Sequence, residues 1–167
     1  MSVSLPACLI EEAVRVLDLA RDAGLTIGCA ESCTGGLIAA SLTSVPGASE
    51  VFWGGVVSYD PSVKRAVLGV DAHTIATLGV VSRDCALQMA RGARATLGVA
   101  AAVSTTGIAG PGGAEAGKPV GTVWIAVAGP TGERAIRHTF RGDRDAVREA
   151  ATREALRLLA DLIRLGV

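Results

Sequence analysis

The chain has 167 residues, half of them apolar, which is enough for one buried core but too few for two domains of typical size. We therefore expect a single domain over residues 1–167. The formal net charge is zero and the basic residues are not segregated, so the charge pattern of a nucleic-acid-binding protein is absent. The chain shows no signal-peptide pattern, no apolar run of about 18 residues and no C-x-x-C pair. These features predict a cytoplasmic protein with reduced cysteines and no membrane partner.

Hydrophobic periodicity predicts alternating helices and strands, separated by turns rich in glycine and proline. The predicted strands are Ile27–Ala30, Val51–Tyr59, Val99–Ser104, Val120–Ala128 and Ala135–Phe140. Helices are predicted between Pro6 and Gly24, from Leu37, from Asp60-Pro61, from Ser82 to Ala95 and from Asp143 to Leu165, and Asp71–Leu78 is compatible with a further short helix. The order α-β-α-β-α-α-β-β-β-α indicates the α/β class: a single three-layer α/β/α domain with a mixed sheet.

The segment from Thr26 to Ala40 carries the densest set of reactive and small residues. A short strand enters a helix through a polar turn, and such a helix start leaves backbone N–H groups free to stabilise an anion. Either Ser32 or Cys33 could supply a nucleophile there. The same residues would also serve as an ordinary loop with a helix cap.

A second loop of small residues follows the third predicted strand, from Thr105 to Gly113. The residues from Gly112 to Lys118 match the P-loop spacing G-x-x-x-x-G-K, but the next residue, Pro119, has no hydroxyl for Mg²⁺, and a strand follows instead of a helix. We therefore reject a nucleoside-triphosphatase site. The loop is either a plain surface connection or one wall of a pocket.

The sequence offers no histidine at metal-ligand spacing and no G-x-S-x-G elbow, so it predicts neither a metal site nor a Ser-His-Asp triad. A serine nucleophile would then need a different base, and a buried neutral lysine can act as one. Lys64 follows Tyr59 at the end of a predicted strand, where both could face Ser32. The alternative is that Lys64 is an ordinary surface lysine.

Five motifs stand in a defined order along the chain. They are Glu31-Ser32-Cys33-Thr34-Gly35-Gly36, Tyr59 with Lys64 five residues later, Thr106-Gly107-Ile108-Ala109-Gly110-Pro111, Lys118-Pro119-Val120-Gly121-Thr122-Val123-Trp124, and Gly142-Asp143-Arg144. Together they resemble the CinA C-terminal domain family, whose enzymatic members are nicotinamide-nucleotide amidohydrolases, or NMN deamidases. The resemblance covers roughly residues 10 to 163.

The resemblance implies hydrolysis of the carboxamide of nicotinamide mononucleotide (NMN) to nicotinate mononucleotide and ammonia, within pyridine nucleotide salvage and without a cofactor. It implies Ser32 as the nucleophile, with Tyr59 and Lys64 as the proton-transfer pair. Lys64 would act on Ser32 directly or through Tyr59.

The substrate-binding residues follow from the same resemblance and from the chemistry of the side chains. Backbone N–H groups at Thr34, Gly35 and Gly36 are candidates to hold the oxyanion. Arg144 is a candidate phosphate contact, because a guanidinium matches phosphate geometry, or else a charge at a helix start. The nucleotide would lie on the loop formed by Thr105, Thr106, Gly107, Ala109 and Gly110.

One position departs from the family pattern: Pro61 stands where relatives commonly have an asparagine, so either Asp60 or Ser62 replaces its hydrogen bonds or activity is weakened. Two other functions therefore stay open, a non-catalytic nucleotide-binding or adaptor domain linked to competence or DNA repair, and an esterase or amidase with another small substrate. We also expect a homo-oligomer, since small domains of this kind often bury an element against a symmetry mate.

Overall fold

The chain folds around a five-stranded mixed β-sheet, and the computed structural model describes residues 5–165. The strands are β1 (Ile27–Glu31), β2 (Phe52–Val57), β3 (Ala101–Gly107), β4 (Thr122–Ala128) and β5 (Glu133–Thr139). They lie in the order β2-β1-β3-β4-β5, with β1 parallel to β2 and β3, and with β4 and β5 added antiparallel. The carboxyl ends of β1, β2 and β3 therefore meet at one end of the sheet, where α/β proteins commonly bind ligands.

Helices connect and cover the strands, and their ends follow local chemistry. They are α1 (Ala7–Ala23), α2 (Leu37–Thr43), α3 (Pro61–Leu68), α4 (Ala72–Leu78), α5 (Arg83–Leu97) and α6 (Arg144–Leu165). The Asp60 carboxylate caps α3 by accepting a hydrogen bond from the Ser62 N–H at 2.8 Å, and Pro61 occupies the first helical position. The predicted start of this helix is thus confirmed.

The helices form two layers on either side of the sheet. Helices α1, α2 and α6 pack on the face that carries Ile27, Val103 and Ile125. On the opposite face α5 lies against small side chains such as Ala30 and Ala102, and α3 and α4 pack against α5. Small residues on the strands let the helices approach closely, which gives the predicted three-layer α/β/α arrangement.

The structure moves several of the predicted boundaries by one to three residues. Strand β3 continues to Gly107 instead of ending at Ser104, because residues 105–107 still pair with β4. Strand β2 ends at Val57 rather than Tyr59. The short helix with which Asp71–Leu78 is compatible is present as α4, so three helices separate β2 from β3. Within residues 5–165, no helix combines the length and the apolar character needed to cross a bilayer.

Candidate active site

A cavity of about 280 Å³ lies at the carboxyl ends of β1, β2 and β3. Three of its walls come from the segments that the sequence singled out: the turn after β1, the start of α3 and the glycine loop after β3. The predicted site residues that line it are Ser32, Tyr59, Lys64, Thr106, Gly107, Ala109, Gly110 and Arg144. Thr34, Gly35, Gly36 and Thr105 do not line it.

Ser32 and Lys64 meet at the bottom of the cavity. Ser32 is the first residue after β1, and its N–H donates to the Thr105 carbonyl at 3.0 Å. Lys64 lies in the first turn of α3, and its Nζ is 2.9 Å from Ser32 Oγ and also donates to the Ser58 carbonyl. A neutral amine can donate to that carbonyl while it accepts the serine proton, so the geometry suits a base acting on Ser32.

Burial makes the neutral form of Lys64 accessible. The residue is 1% exposed, and among residues 5–165 no carboxylate forms an ion pair with it. Desolvation therefore lowers the pKa of the Lys64 amine, and the smaller opposing effects of Cys85, Cys33 and Asp60 do not cancel it. The interpretation of Lys64 as a surface lysine is wrong. Pro61 does not keep the lysine from Ser32, since the helix that it starts places Lys64 one turn later.

The turn after Ser32 is folded around the carboxylate of Glu31. Glu31 Oε2 accepts hydrogen bonds from the Thr34 hydroxyl at 2.6 Å, the Gly36 N–H at 3.0 Å and the Ile38 N–H at 3.1 Å. Gly35 and Gly36 adopt φ values of 59° and 98°, which only glycine takes without strain, and this brings the chain back over the carboxylate. The two glycines therefore give the turn its shape.

This arrangement corrects part of the predicted oxyanion site. The Gly36 N–H is taken by Glu31, and the Gly35 N–H donates to the Ser32 carbonyl at 3.1 Å. The backbone N–H groups of Cys33 and Thr34 directly follow Ser32 and donate to no other residue of the turn, although the Cys33 N–H also faces the thiol of its own side chain. They are the better candidates to stabilise an oxyanion, because the donors must lie beside the attacked carbonyl.

Cys33 also lines the cavity, but its thiol is a poor nucleophile. Burial raises its pKa to about 12, and the charge of Glu31 adds to this effect. The thiol therefore stays protonated near neutral pH, whereas Ser32 has a base in contact. The structure thus supplies a physical reason to prefer Ser32 over Cys33.

Tyr59 and Arg144 close the mouth of the cavity. Tyr59 is 62% exposed, and its hydroxyl accepts a hydrogen bond from Arg144 Nη2 at 3.1 Å. Arg144 Nη1 donates to the Gly110 carbonyl at 3.0 Å, so the arginine joins the start of α6 to the glycine loop. Within the part of the chain that the structure describes, no hydrogen bond links the tyrosine to Ser32 or Lys64. The contacts therefore favour direct proton transfer over a relay through Tyr59.

The two threonines of the predicted nucleotide loop have structural contacts. Thr105 is fully buried, and its hydroxyl lies 2.8 Å from that of Thr34. Thr106 Oγ1 donates to the Val80 carbonyl at 2.8 Å, which ties β3 to the segment before α5. Thr106 nevertheless lines the cavity, together with residues 107–110 and, beyond them, Gly112 and Gly113, whereas Thr105 does not.

The whole pattern matches a known domain. The family model described as the CinA C-terminal domain matches residues 10–163. The chain belongs to this family. In this CinA domain, the matched region contains every residue that lines the cavity.

Related proteins agree with this assignment. A CinA-like protein from Anaeromyxobacter sp. is 53% identical over 136 residues, which is 81% of this chain and 33% of the relative. The chain spans about a third of the length of the curated relatives that it matches.

Solved structures of the family share the fold over nearly the full length of both chains. The competence/damage inducible protein CihA from Agrobacterium tumefaciens has a TM-score of 0.89 at 43% identity, with 97% of this chain and 99% of that one covered. A CinA superfamily protein from Klebsiella pneumoniae has a TM-score of 0.90 at 35% identity, covering 94% and 98%.

Reasoning from the sequence of this CinA domain did not single out Glu31 or Ser58, both fully buried beside the site. The signal for Glu31 was present: a carboxylate directly before a serine, a threonine and two glycines could accept hydrogen bonds from the turn. Nothing in the local pattern marks Ser58, whose carbonyl orients Lys64. Among residues 5–165, no group of three or more potential metal-ligating side chains comes together.

Proposed function

We propose that this CinA domain is a nicotinamide-nucleotide amidohydrolase, which hydrolyses the carboxamide of NMN to nicotinate mononucleotide and ammonia. The observation that carries the proposal is the contact of 2.9 Å between Ser32 Oγ and the amine of the buried Lys64. A serine paired with an amine of lowered pKa is the arrangement that acyl transfer without histidine needs. The choice of NMN as substrate rests on the family resemblance.

The reaction would proceed in two halves. Ser32 Oγ attacks the amide carbon while Lys64 Nζ takes the serine proton, and the N–H groups of Cys33 and Thr34 stabilise the oxyanion. Collapse of the tetrahedral species breaks the C–N bond, and the lysine proton goes to the leaving nitrogen, which departs as ammonia. An ester of Ser32 remains. Water then attacks this ester, Lys64 accepts the water proton and returns it to Ser32 Oγ, and the carboxylic acid leaves and ionises.

The other end of the cavity suits the nucleotide portion of this substrate. Arg144 is the one basic side chain besides Lys64 among the described residues that line the cavity. A guanidinium can bind a phosphate through two parallel hydrogen bonds. Ala109, Gly110, Gly112 and Gly113 line the cavity on this side, and their small or absent side chains would let a ligand approach the backbone. At about 280 Å³, the cavity is just below the range of about 300 to 1,000 Å³ that ligand sites commonly occupy, which favours a mononucleotide over a dinucleotide.

Ammonia release from NMN tests the proposal directly. We expect turnover by the purified protein that is lost in Ser32→Ala and retained in Cys33→Ala, which removes the neighbouring nucleophile from the same cavity. Nicotinamide, nicotinamide riboside and NAD serve as competing substrates, because an enzyme that uses the single phosphate should prefer NMN to all three.

Two results would replace this proposal with an alternative. Turnover of another amide or ester, but not of NMN, would identify an amidase or esterase with a different small substrate. Binding of NMN by folded protein without ammonia release would favour a nucleotide-binding or adaptor domain, a role in keeping with the name competence/damage inducible protein that a structural relative carries.

A further inference from the structure

Glu31 is a buried carboxylate that the proposed reaction does not use. It ends strand β1 next to Ser32, its side chain is fully buried, and within residues 5–165 it forms no ion pair. An unpaired charge in such a place is costly unless hydrogen bonds surround it. Glu31 satisfies this requirement entirely with local donors.

Five donors surround the two carboxylate oxygens. Besides the three bonds to Oε2, Oε1 accepts from the Ala39 N–H at 2.9 Å and from Cys29 Sγ at 3.6 Å. Three of the five are backbone N–H groups at residues 36, 38 and 39, in the first turn of α2. The helix has no other side-chain cap, because its N-cap residue is Gly36. The carboxylate therefore fixes the start of α2 and the turn that carries Ser32.

The backbone of the same residue reaches the lysine side of the site. The Glu31 carbonyl accepts a hydrogen bond from the Ser58 N–H at 2.8 Å, and Ser58 Oγ lies 3.4 Å from it. The Ser58 carbonyl in turn accepts from the Lys64 amine. Glu31 thus holds the turn that carries Ser32 through its side chain. Its backbone carbonyl holds Ser58, whose own carbonyl orients Lys64.

We infer that Glu31 is a positioning residue for the Ser32–Lys64 pair, and that its carboxylate keeps Ser32 Oγ and the following N–H groups in the geometry for attack. This inference rests on the proposed function. The carboxylate also engages the N–H groups of residues 36, 38 and 39, so these donors are not available to a substrate. Glu31 does not itself touch the reacting atoms.

The variant Glu31→Gln tests this role because it keeps the size of the side chain. Its amide nitrogen must face at least one N–H or O–H donor that now meets an oxygen, so the turn loses part of its cap. We expect kcat for NMN to fall by about 10- to 100-fold, the cost of a small misplacement of a reacting group. KM should change by less than about threefold, since the binding side of the cavity is untouched. Labelling of Ser32 by a fluorophosphonate should slow in proportion to kcat.

Leu42→Ala is the matched control. Leu42 lies on the same helix and is fully buried in the core, but it makes no contact with the carboxylate through hydrogen bonds. Both variants are assayed at a temperature at which circular dichroism shows them folded. Turnover and labelling at wild-type rates in Glu31→Gln would overturn the inference. A loss of both in Leu42→Ala as large as the loss in Glu31→Gln would also overturn it, because the loss would then reflect reduced stability in general.

The same experiment separates this inference from the proposed function. If the wild-type protein releases no ammonia from NMN but Ser32 is labelled, the proposed substrate fails, and the labelling rates of the two variants still decide the role of Glu31. If the wild-type protein shows neither turnover nor labelling, there is no activated serine to position and both proposals fail.

Discussion

Replacing Lys64 with methionine removes the base and leaves the rest of the cavity in place. Methionine has nearly the length of lysine and no charge, so it fills the same buried volume. Among the described residues, the hydrogen bond of Ser32 Oγ is with Lys64 alone, so no second base stands ready. A general base typically accelerates a reaction by about 10²- to 10⁴-fold. Because no other base replaces Lys64, we expect kcat for NMN to fall by about 10³-fold or more, which corresponds to an increase of roughly 4 kcal/mol in the activation free energy.

The same change should have only a small effect on stability, because two contributions oppose each other. The Ser58 carbonyl loses its donor, which costs about 1–3 kcal/mol for a buried acceptor. Against this, the variant no longer buries an amine, which stabilises it by about 1.4 kcal/mol for each unit by which burial lowers the lysine pKa. We expect a melting temperature within a few degrees of the wild type.

Ammonia release from NMN and thermal melting are measured on the same preparations. The control is Lys118→Met, which alters the only other lysine of the chain. Its amine contacts the Leu78 carbonyl at 3.1 Å and the Glu115 carboxylate at 3.2 Å. Glu115 lines the cavity, so KM is free to change, but Lys118 makes no contact with Ser32 and kcat should be kept. A folded Lys64→Met protein that retains more than about a tenth of the wild-type kcat would refute the assignment of the base.

Three further predictions follow from the site. First, kcat/KM should rise with pH as Lys64 loses its proton, with a midpoint below the usual lysine pKa of about 10.4. Because the unfolded chain keeps this proton to a higher pH than the folded chain, the melting temperature of the wild type should rise over the same pH range relative to that of Lys64→Met. Second, Cys33→Ala should keep most of kcat, and iodoacetamide at pH 8 should leave the wild type active, because burial raises the pKa of the Cys33 thiol to about 12. Rapid inactivation of the wild type that is absent in Cys33→Ala would contradict this prediction. Third, Arg144→Ala should lower kcat/KM for NMN by about 10- to 100-fold, mainly by raising KM, but it should leave kcat/KM for nicotinamide riboside unchanged. Equal losses for the two substrates would exclude a phosphate contact.

The elements of this fold were largely predictable, because hydrophobic periodicity and cap residues act locally. Asp60 with Pro61 and the glycine after α1 mark helix ends that the structure confirms. The end of β3 was not predictable in the same way. Residues 105–107 read as a loop of small residues, and only their pairing with β4, contributed by a distant segment, makes them a strand.

The candidate site was predictable as a set of residues but not as a set of contacts. In the sequence, Ser32 and Lys64 are recognisable as a candidate nucleophile and base from their side-chain chemistry. The parallel pairing of β1 and β2 places the two residues in contact. The hydrogen-bond partners depend on side-chain directions that no spacing reveals. Tyr59 therefore turned out to contact Arg144, and the N–H groups of Gly35 and Gly36 to be occupied.

Most of the residues around the cavity come from two separate parts of the chain. The nucleophile, the base and the carboxylate behind them all belong to the continuous unit β1-α2-β2-α3, residues 27–68, whereas the mouth of the cavity is built largely from the loop after β3 and from the first residue of α6. In the proposed reaction, bond breaking and substrate choice would thus be encoded in different segments. Exchanging residues 107–115 and position 144 between relatives should therefore redirect selectivity while the hydrolytic apparatus stays intact, which makes this division a practical starting point for engineering.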